Sequence, residues 1–165
     1  MKIANWIDGV NGMLGRGVAW LTVAMVLIYF AIVLMRYWFD FGSIALQESV
    51  TYLHALVFMG AAAWTLQVDG HVRVDIFYNR WGPARRALVD LLGSLLLLLP
   101  FAAALLVFSW GYVEAAWARM EISAEPGGLP WVYLLKSVIL LMAVQLMLQA
   151  VAQALKAWQT LRGAD

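Results

Sequence analysis

The chain has 165 residues, of which 64% are hydrophobic and only 13% charged, and it carries nine tryptophans and no cysteine. This composition is typical of an integral membrane protein and excludes a soluble domain, while the net charge of +1 argues against a nucleic-acid partner. The lack of cysteine excludes a disulfide framework, thiolate metal sites and a cysteine nucleophile. Because a spanning helix needs about 20 residues, we predict an all-α integral membrane protein with four transmembrane helices in a single membrane domain, residues 1–165.

The first 16 residues predict an amphipathic helix that lies in the membrane interface. Apolar residues recur there at three- and four-residue spacing, namely Ile3, Trp6, Ile7, Val10 and Leu14. We expect Trp6 and Ile7 to anchor this helix on the leaflet. Helix propensity is lowered by Gly9, Gly12, Gly15 and Gly17, so a frayed polar leader is the alternative. No small-residue cleavage site follows a short apolar core, which predicts that the segment is retained in the mature protein.

Four apolar stretches have the length of membrane spans, at about residues 18–35, 44–66, 88–110 and 131–155. Pro100 lies near the middle of the third stretch and is expected to kink the helix there. The helix has no earlier stop signal before Arg119, but the run Pro-Gly-Gly-Leu-Pro at residues 126–130 must end it.

The positive charges predict the orientation of the chain. Eight lysines and arginines lie before the first span, between the second and third, or after the fourth: Lys2, Arg16, Arg73, Arg80, Arg85, Arg86, Lys156 and Arg162. Only Arg36 and Arg119 lie in the other two connections. Since positive charge favours the cytoplasmic side, both termini are predicted to be cytoplasmic.

Three charged residues lie at or near the predicted outer ends of the spans: Arg36, Glu48 and Lys136. A charged side chain is expensive to keep in lipid unless it is paired. We therefore expect a structural ion pair between Glu48 and a cation at similar depth, Lys136 first and Arg36 second. This sequence pattern suggests no catalytic, cofactor-binding or metal-binding residue.

Small and amide side chains predict where another subunit packs. The second span offers the small residues Gly60, Ala61 and Ala62, and the fourth offers glutamines at four-residue spacing, Gln145, Gln149 and Gln153. Helix association in a bilayer depends on close backbone approach and interhelical hydrogen bonds. We expect these two faces to position the protein against a partner. The bulky first span would then face lipid or an apolar surface.

A polar stretch follows the second span and contains Gly70, His71, Arg73, Val74 and Asp75. One hypothesis is that His71 and Asp75 fix a cytoplasmic loop while Arg73 engages lipid phosphate or a partner. The alternative is a hydrated turn whose charges only set the topology. His71 and the intramembrane His54 are separated by 17 residues, or roughly 25 Å of helix, which argues against a shared metal ion or haem.

The four spans, Arg36, Glu48, the Gly70-His71-x-x-Val74-Asp75 stretch and Pro130 together resemble the small membrane subunit of tripartite ATP-independent periplasmic (TRAP) transporters. The resemblance implies sodium-driven uptake of organic acids across a bacterial or archaeal cytoplasmic membrane. It also implies two protein partners, a large membrane subunit with the transport domain and sodium sites, and a periplasmic substrate-binding protein. This chain would be the scaffold, and the resemblance assigns it no substrate residue.

Two other functions remain open at this stage. One is a small self-contained transporter, and the other is a haem-bearing membrane anchor of a respiratory enzyme. A transporter that works alone needs ionisable groups or broken helices near the bilayer midplane, and the spans offer little there besides His54 and Pro100. This poverty of polar groups favours the scaffold.

Overall fold

The computed structural model describes residues 2–72 and 76–163, and in that part of the chain it is all-helical. The helices, in chain order, are α1 Lys2–Ala19, α2 Leu21–Phe39, α3 Ile44–Gly60, α4 Ala62–Gln67, α5 Pro83–Gly93, α6 Leu99–Ala118 and α7 Val132–Arg162. A π-helical turn, Ser94–Leu98, joins α5 to α6, and a short 3₁₀ turn covers Tyr78–Arg80.

Four helical segments are long and apolar enough to cross a membrane, as predicted: Lys2–Phe39, Ile44–Gln67, Pro83–Ala118 and Val132–Arg162. The first turns of α1, residues 64–72 and 76–82 and the last turns of α7 lie at one end of the bundle, which we call the terminal end. Residues 40–43 and 119–131 lie at the other end, which we call the distal end. The last segment continues to Arg162, beyond the predicted limit near residue 155.

Local chemistry explains where the helices stop and start at the distal end. Asp40 adopts a left-handed conformation with φ 47°, and its N–H donates to the Met35 carbonyl, which closes α2. Ser43 then starts α3, because its hydroxyl oxygen accepts the Leu46 N–H at 3.4 Å. The turn before α7 uses Gly127 at φ 78°, a conformation that glycine adopts without strain.

Two of the spans are irregular. The second changes direction at Ala61, which separates α3 from the short α4. In the third, the π-helical turn comes immediately before α6, and Pro100 occupies the first turn of that helix. Proline donates no backbone hydrogen bond and clashes with the preceding turn, so a wider turn at residues 94–98 accommodates it. The disturbance predicted from Pro100 therefore lies on its N-terminal side.

The centre of the bundle is α7, which carries nine buried residues, more than any other described helix. Its apolar contacts use small side chains: Ala152 packs with Ala4 and Ile7 of α1, and Leu146 packs with Ala63 and Ala102. By contrast, no residue of α2 is buried within the described part of the chain. Small residues let helix backbones approach closely, which is the main source of helix association in a bilayer.

The N-terminal helix packs on the protein itself. Its second half runs antiparallel to the second span: Gly12 faces Gln67, Gly15 faces Trp64, and the Val18 side chain contacts Gly60. The glycines that lower helix propensity are therefore the residues that permit this close approach. Ile7 is 3% exposed and contacts α7, so its predicted role as a leaflet anchor is wrong, whereas Trp6 is 65% exposed.

Candidate functional site

A buried hydrogen-bond network joins α1 to α7 at the terminal end. Asn11 Nδ2 donates to Gln149 Oε1 at 2.8 Å, and Gln149 Nε2 donates to Asp8 Oδ1 at 3.2 Å. The other Asp8 oxygen forms an ion pair with Lys156. Asn11 and Gln149 are 1% and 0% exposed. Because buried polar groups are costly when unpaired, this network fixes the position of α1 on α7.

The second span joins the same network from its other side. Gln153 Nε2 donates to the Leu66 carbonyl at 3.2 Å, which ties α7 to α4. On the α1 side, a Cβ added at Gly15 would lie closer than 3.0 Å to three carbons of the Trp64 side chain. The terminal end of the bundle is therefore a tight junction of α1, α4 and α7.

Gln145 and Gln149 lie inside the bundle, which contradicts their predicted role as a partner-facing surface, whereas Gln153 is half-exposed and its role toward a partner remains a prediction. Gln149 and Gln153 bond to α1 and α4, and Gln145 is 3% exposed. Within the described residues, neither side-chain polar atom of Gln145 has a hydrogen-bond partner. The periodicity of the row correctly indicates one shared face, but that face is turned toward the chain's own helices.

The small residues of the second span also pack internally. Gly60 is buried against Val18 of α1, where an added Cβ would meet a Val18 methyl at 3.2 Å. Ala62 packs against the cluster of Ala63, Ala102 and Leu146. Gly60 and Ala62 therefore hold this bundle together, and Ala61 forms the junction between α3 and α4. The burial of Gly60 contradicts its predicted partner-facing role, whereas Ala61 and Ala62 are half-exposed and their role toward a partner remains a prediction.

At the distal end, Glu48 holds the connection between α6 and α7. One carboxylate oxygen accepts a hydrogen bond from the Ser123 hydroxyl, and the other accepts the Leu129 N–H at 2.6 Å. Gly128 allows this contact, because a Cβ there would lie 2.8 Å from Glu48 Oε1. The carboxylate thus draws residues 119–131 onto the start of α3.

Lys136 has a different acidic partner. Its Nζ donates to the two oxygens of Glu121 at 2.7 and 2.6 Å and lies 4.0 Å from the centre of the Tyr112 ring. The predicted ion pair between Glu48 and Lys136 is therefore wrong. The physical reason is that residues 119–131 fold back over the helix ends and supply nearer partners to both charges.

Two aromatic residues strengthen the junction of α6 and α7 beside this ion pair. The Trp117 ring lies edge-on to Tyr133 with centroids 4.7 Å apart, and its indole nitrogen donates to the Ser137 hydroxyl at 2.8 Å. Such aromatic pairs contribute about 0.5–1.5 kcal/mol beyond the area that they bury.

Arg36 is in neither cluster. It lies at the end of α2, is exposed, and forms no ion pair with any residue in the described ranges 2–72 and 76–163. Its predicted secondary role as a partner of Glu48 is therefore wrong as well. Instead it lines a cavity between α2 and α3.

The polar loop after α4 is described only in part. Asp69 has a φ of 56°, and the Gly70 N–H donates to the Thr65 carbonyl at 2.8 Å, which ends the helix. His71 is exposed. Arg73, Val74 and Asp75 lie outside the described residues. The hypothesis that His71 and Asp75 fix the loop while Arg73 engages lipid phosphate or a partner therefore remains a prediction. No group of three or more potential metal ligands occurs in the described ranges.

The ion pair between Lys136 and Glu121 can be tested directly. We expect Lys136→Met and Glu121→Gln each to lower the unfolding temperature of the purified protein, because each leaves a partly buried charge without its partner. The double variant should lose less than the sum of the two.

Two controls separate this pair from the others. Glu125→Gln, in the same connection but exposed, should leave the unfolding temperature nearly unchanged. Glu48→Gln combined with Lys136→Met should give additive losses, because these two residues have separate partners. Additive losses for Lys136 and Glu121, or coupling between Lys136 and Glu48, would contradict the assignment.

The polar clusters could not all be anticipated from the sequence. The sequence did not indicate the polar contacts of four residues, Asp8, Glu121, Ser123 and Lys156. The helix lengths could have suggested the two ion pairs, Lys136–Glu121 and Lys156–Asp8, because they bring the partners of each pair to the same end of the bundle. Taken together, the fold and its polar contacts define a multi-pass membrane protein in which buried polar side chains such as Asn11 and Gln149 join one helix to another.

Comparison with known proteins identifies the family. The family model described as tripartite ATP-independent periplasmic transporters, DctQ component, matches residues 25–160. Because this match covers most of the chain, the protein belongs to that family of transporter subunits, and the resemblance predicted from the sequence is confirmed. The family is one of transporter components.

One curated relative is the C4-dicarboxylate TRAP transporter small permease protein DctQ of Vibrio cholerae serotype O1, which is 28% identical over 125 residues. The aligned region is 73% of this chain and 52% of the relative, so the chain spans about half the length of the protein that it matches. No solved structure matches the chain.

Proposed function

We propose that this chain is the scaffold-like small subunit of a sodium-driven TRAP transporter that imports organic acids. The observation that best supports a scaffold is the use of the polar groups inside the spans. Gln149, Gln153 and Lys136 are engaged with other parts of the same chain. Residues engaged in this way are not available to bind a substrate or a coupling ion, so transport would require the large membrane subunit.

The proposed partners are this large subunit, with the transport domain and sodium sites, a periplasmic substrate-binding protein, and membrane lipid. The relative from Vibrio cholerae is named for C4-dicarboxylates, which supports a carboxylate as the substrate class. Because Gly60, Gln145 and Gln149 are packed internally, we propose that the large subunit docks on one of the exposed helix faces. Among these faces, α2 exposes large apolar side chains along its length.

The proposed location is the cytoplasmic membrane of a bacterium or archaeon, with the terminal end inside. The described terminal end carries Arg80, Arg85, Arg86 and Lys156, whereas the distal end carries Arg36 and Arg119. Since positive charge is retained on the cytoplasmic side, this asymmetry supports cytoplasmic termini.

Reconstitution tests the proposed division of labour. We expect liposomes with the purified chain alone to take up none of the labelled succinate, malate or fumarate under an inward sodium gradient. Liposomes with this chain, its large subunit and the binding protein should accumulate at least one such acid. The matched control is the complete complex without a sodium gradient. Sodium-coupled uptake by this chain alone would contradict the proposal.

A further inference from the structure

A continuous groove between α2 and α3 changes character along its length. Its inner part, about 460 Å³, is lined by Met25, Val26, Phe30 and other apolar residues. Its outer part, about 500 Å³, adds Arg36, Gln47 and Thr51. Tyr29, Val33 and Val50 line both parts and make them continuous. The groove is therefore apolar within the span and polar where the span ends.

The length of the groove matches one leaflet of a bilayer. Met25 and Tyr37 mark its two extremes on α2 and are separated by about 18 Å at 1.5 Å per residue. The hydrocarbon core is about 30 Å thick, so one leaflet occupies about half of that distance. A ligand in this groove would have its apolar part at acyl-chain depth and its polar part at the lipid–water boundary.

The charge of the polar part selects an anionic headgroup. Arg36 has no ionic partner within the described residues, and no acidic side chain among them lines either part of the groove. A guanidinium binds phosphate oxygens through parallel hydrogen bonds, and Gln47 offers a further amide donor. The groove is a space between two packed helices. A helix of a partner protein is about 10 Å across, so it would cover the opening of the groove without entering it.

We propose that this groove binds an anionic phospholipid, with an acyl chain along Val26, Phe30 and Val50 and the phosphate on Arg36. The volumes of both parts lie in the range of about 300–1,000 Å³ that is usual for ligand sites. The lipid would be held by the small subunit itself, between two of its own helices. This assignment does not depend on which acid the transporter carries.

Native mass spectrometry of the full chain, purified in detergent, tests the proposal with added phosphatidylglycerol and phosphatidylcholine of identical acyl chains. Arg36→Gln should lower the affinity for phosphatidylglycerol about fivefold and change that for phosphatidylcholine little. Val50→Trp should fill the groove and lower the affinity for both lipids. The matched controls are Arg119→Gln, at the same end of the bundle, and Val107→Trp, on the exposed side of α6.

Each outcome decides the question. The proposal would be overturned if either Arg36→Gln or Val50→Trp bound phosphatidylglycerol as tightly as the native chain does. Displacement of the lipid by inorganic phosphate alone would also overturn it, since the site would then bind the phosphate without the acyl chain. If Val50→Trp abolishes co-purification of the large subunit and leaves lipid binding unchanged, a protein helix occupies the groove. Arg36→Gln alters only an exposed side chain, so it remains informative if Val50→Trp fails to fold.

Discussion

Replacing Gln149 with leucine is expected to lower the free energy of unfolding by about 1–3 kcal/mol, because it leaves buried polar groups of α1 without their partners. Gln149 both accepts from Asn11 and donates to Asp8, so one substitution breaks two interhelical hydrogen bonds. Single interhelical hydrogen bonds in bilayers average about 0.6 kcal/mol, and the orphaned Asn11 amide adds a desolvation cost. Unfolding in mixed micelles with increasing denaturing detergent measures the change.

Gln159→Leu is the matched control, since Gln159 lies on the same helix but is exposed. It should change the free energy of unfolding little. The double variant Asn11→Leu with Gln149→Leu should lose less than the sum of the single losses, because neither buried amide is then left unpaired. Equal losses at Gln149 and Gln159 would show that the network contributes nothing specific.

Gly15→Ala is expected to destabilise the protein by about 1–3 kcal/mol, although alanine is the better helix former. The new methyl group would overlap the Trp64 side chain, whose first carbons cannot move without shifting α4. Either α1 moves away from the second span or the Trp64 rotamer changes. Thermal unfolding, followed by the near-ultraviolet signal of tryptophan, measures both the loss and the altered packing.

Gly9→Ala provides a control on the same helix. Gly9 is exposed, and a Cβ there would meet nothing within 4 Å. This substitution should stabilise the protein by up to about 1 kcal/mol through helix propensity alone. The two glycine variants therefore have opposite expected signs. If Gly15→Ala also stabilises the protein, the close contact between α1 and α4 is wrong.

The spans could be predicted from the sequence because their signal is local. A run of apolar residues such as 18–35 indicates its own location whatever it packs against. The start of α3 at Ser43 is equally local, since the hydroxyl and the Leu46 N–H are three residues apart. These features need no knowledge of the rest of the fold.

The partners of the polar residues could not be predicted in the same way. The spacing of Gln145, Gln149 and Gln153 indicates a shared face, but only the docked α1 shows that this face is internal. Likewise, the burial cost of Glu48 indicates a partner without naming it. Its partners are the hydroxyl of Ser123 and the N–H of Leu129, which are 75 and 81 residues away in sequence. The 13-residue connection between α6 and α7 brings both groups back over α3.

The packing of α1 could not be predicted from the sequence for a related reason. Gly12 and Gly15 lower helix propensity in isolation, so the segment reads as a weak helix. In the structure they form the contact with Gln67 and Trp64, and the packing gain outweighs the propensity. Ile7, which has the appearance of a lipid anchor, is buried for the same reason, because α7 passes beside it.

The contact between Asn11 and Gln149 also determines the order in which the helices can pack during biosynthesis. These residues are 138 positions apart, so α1 is synthesised long before its buried partner on α7. Until α7 is inserted, Asp8 and Asn11 have only water or lipid headgroups as hydrogen-bond partners. The docking of α1 on α7 therefore comes late in synthesis, and a ribosome-stalled or truncated product that ends before residue 149 would leave α1 open to proteolysis.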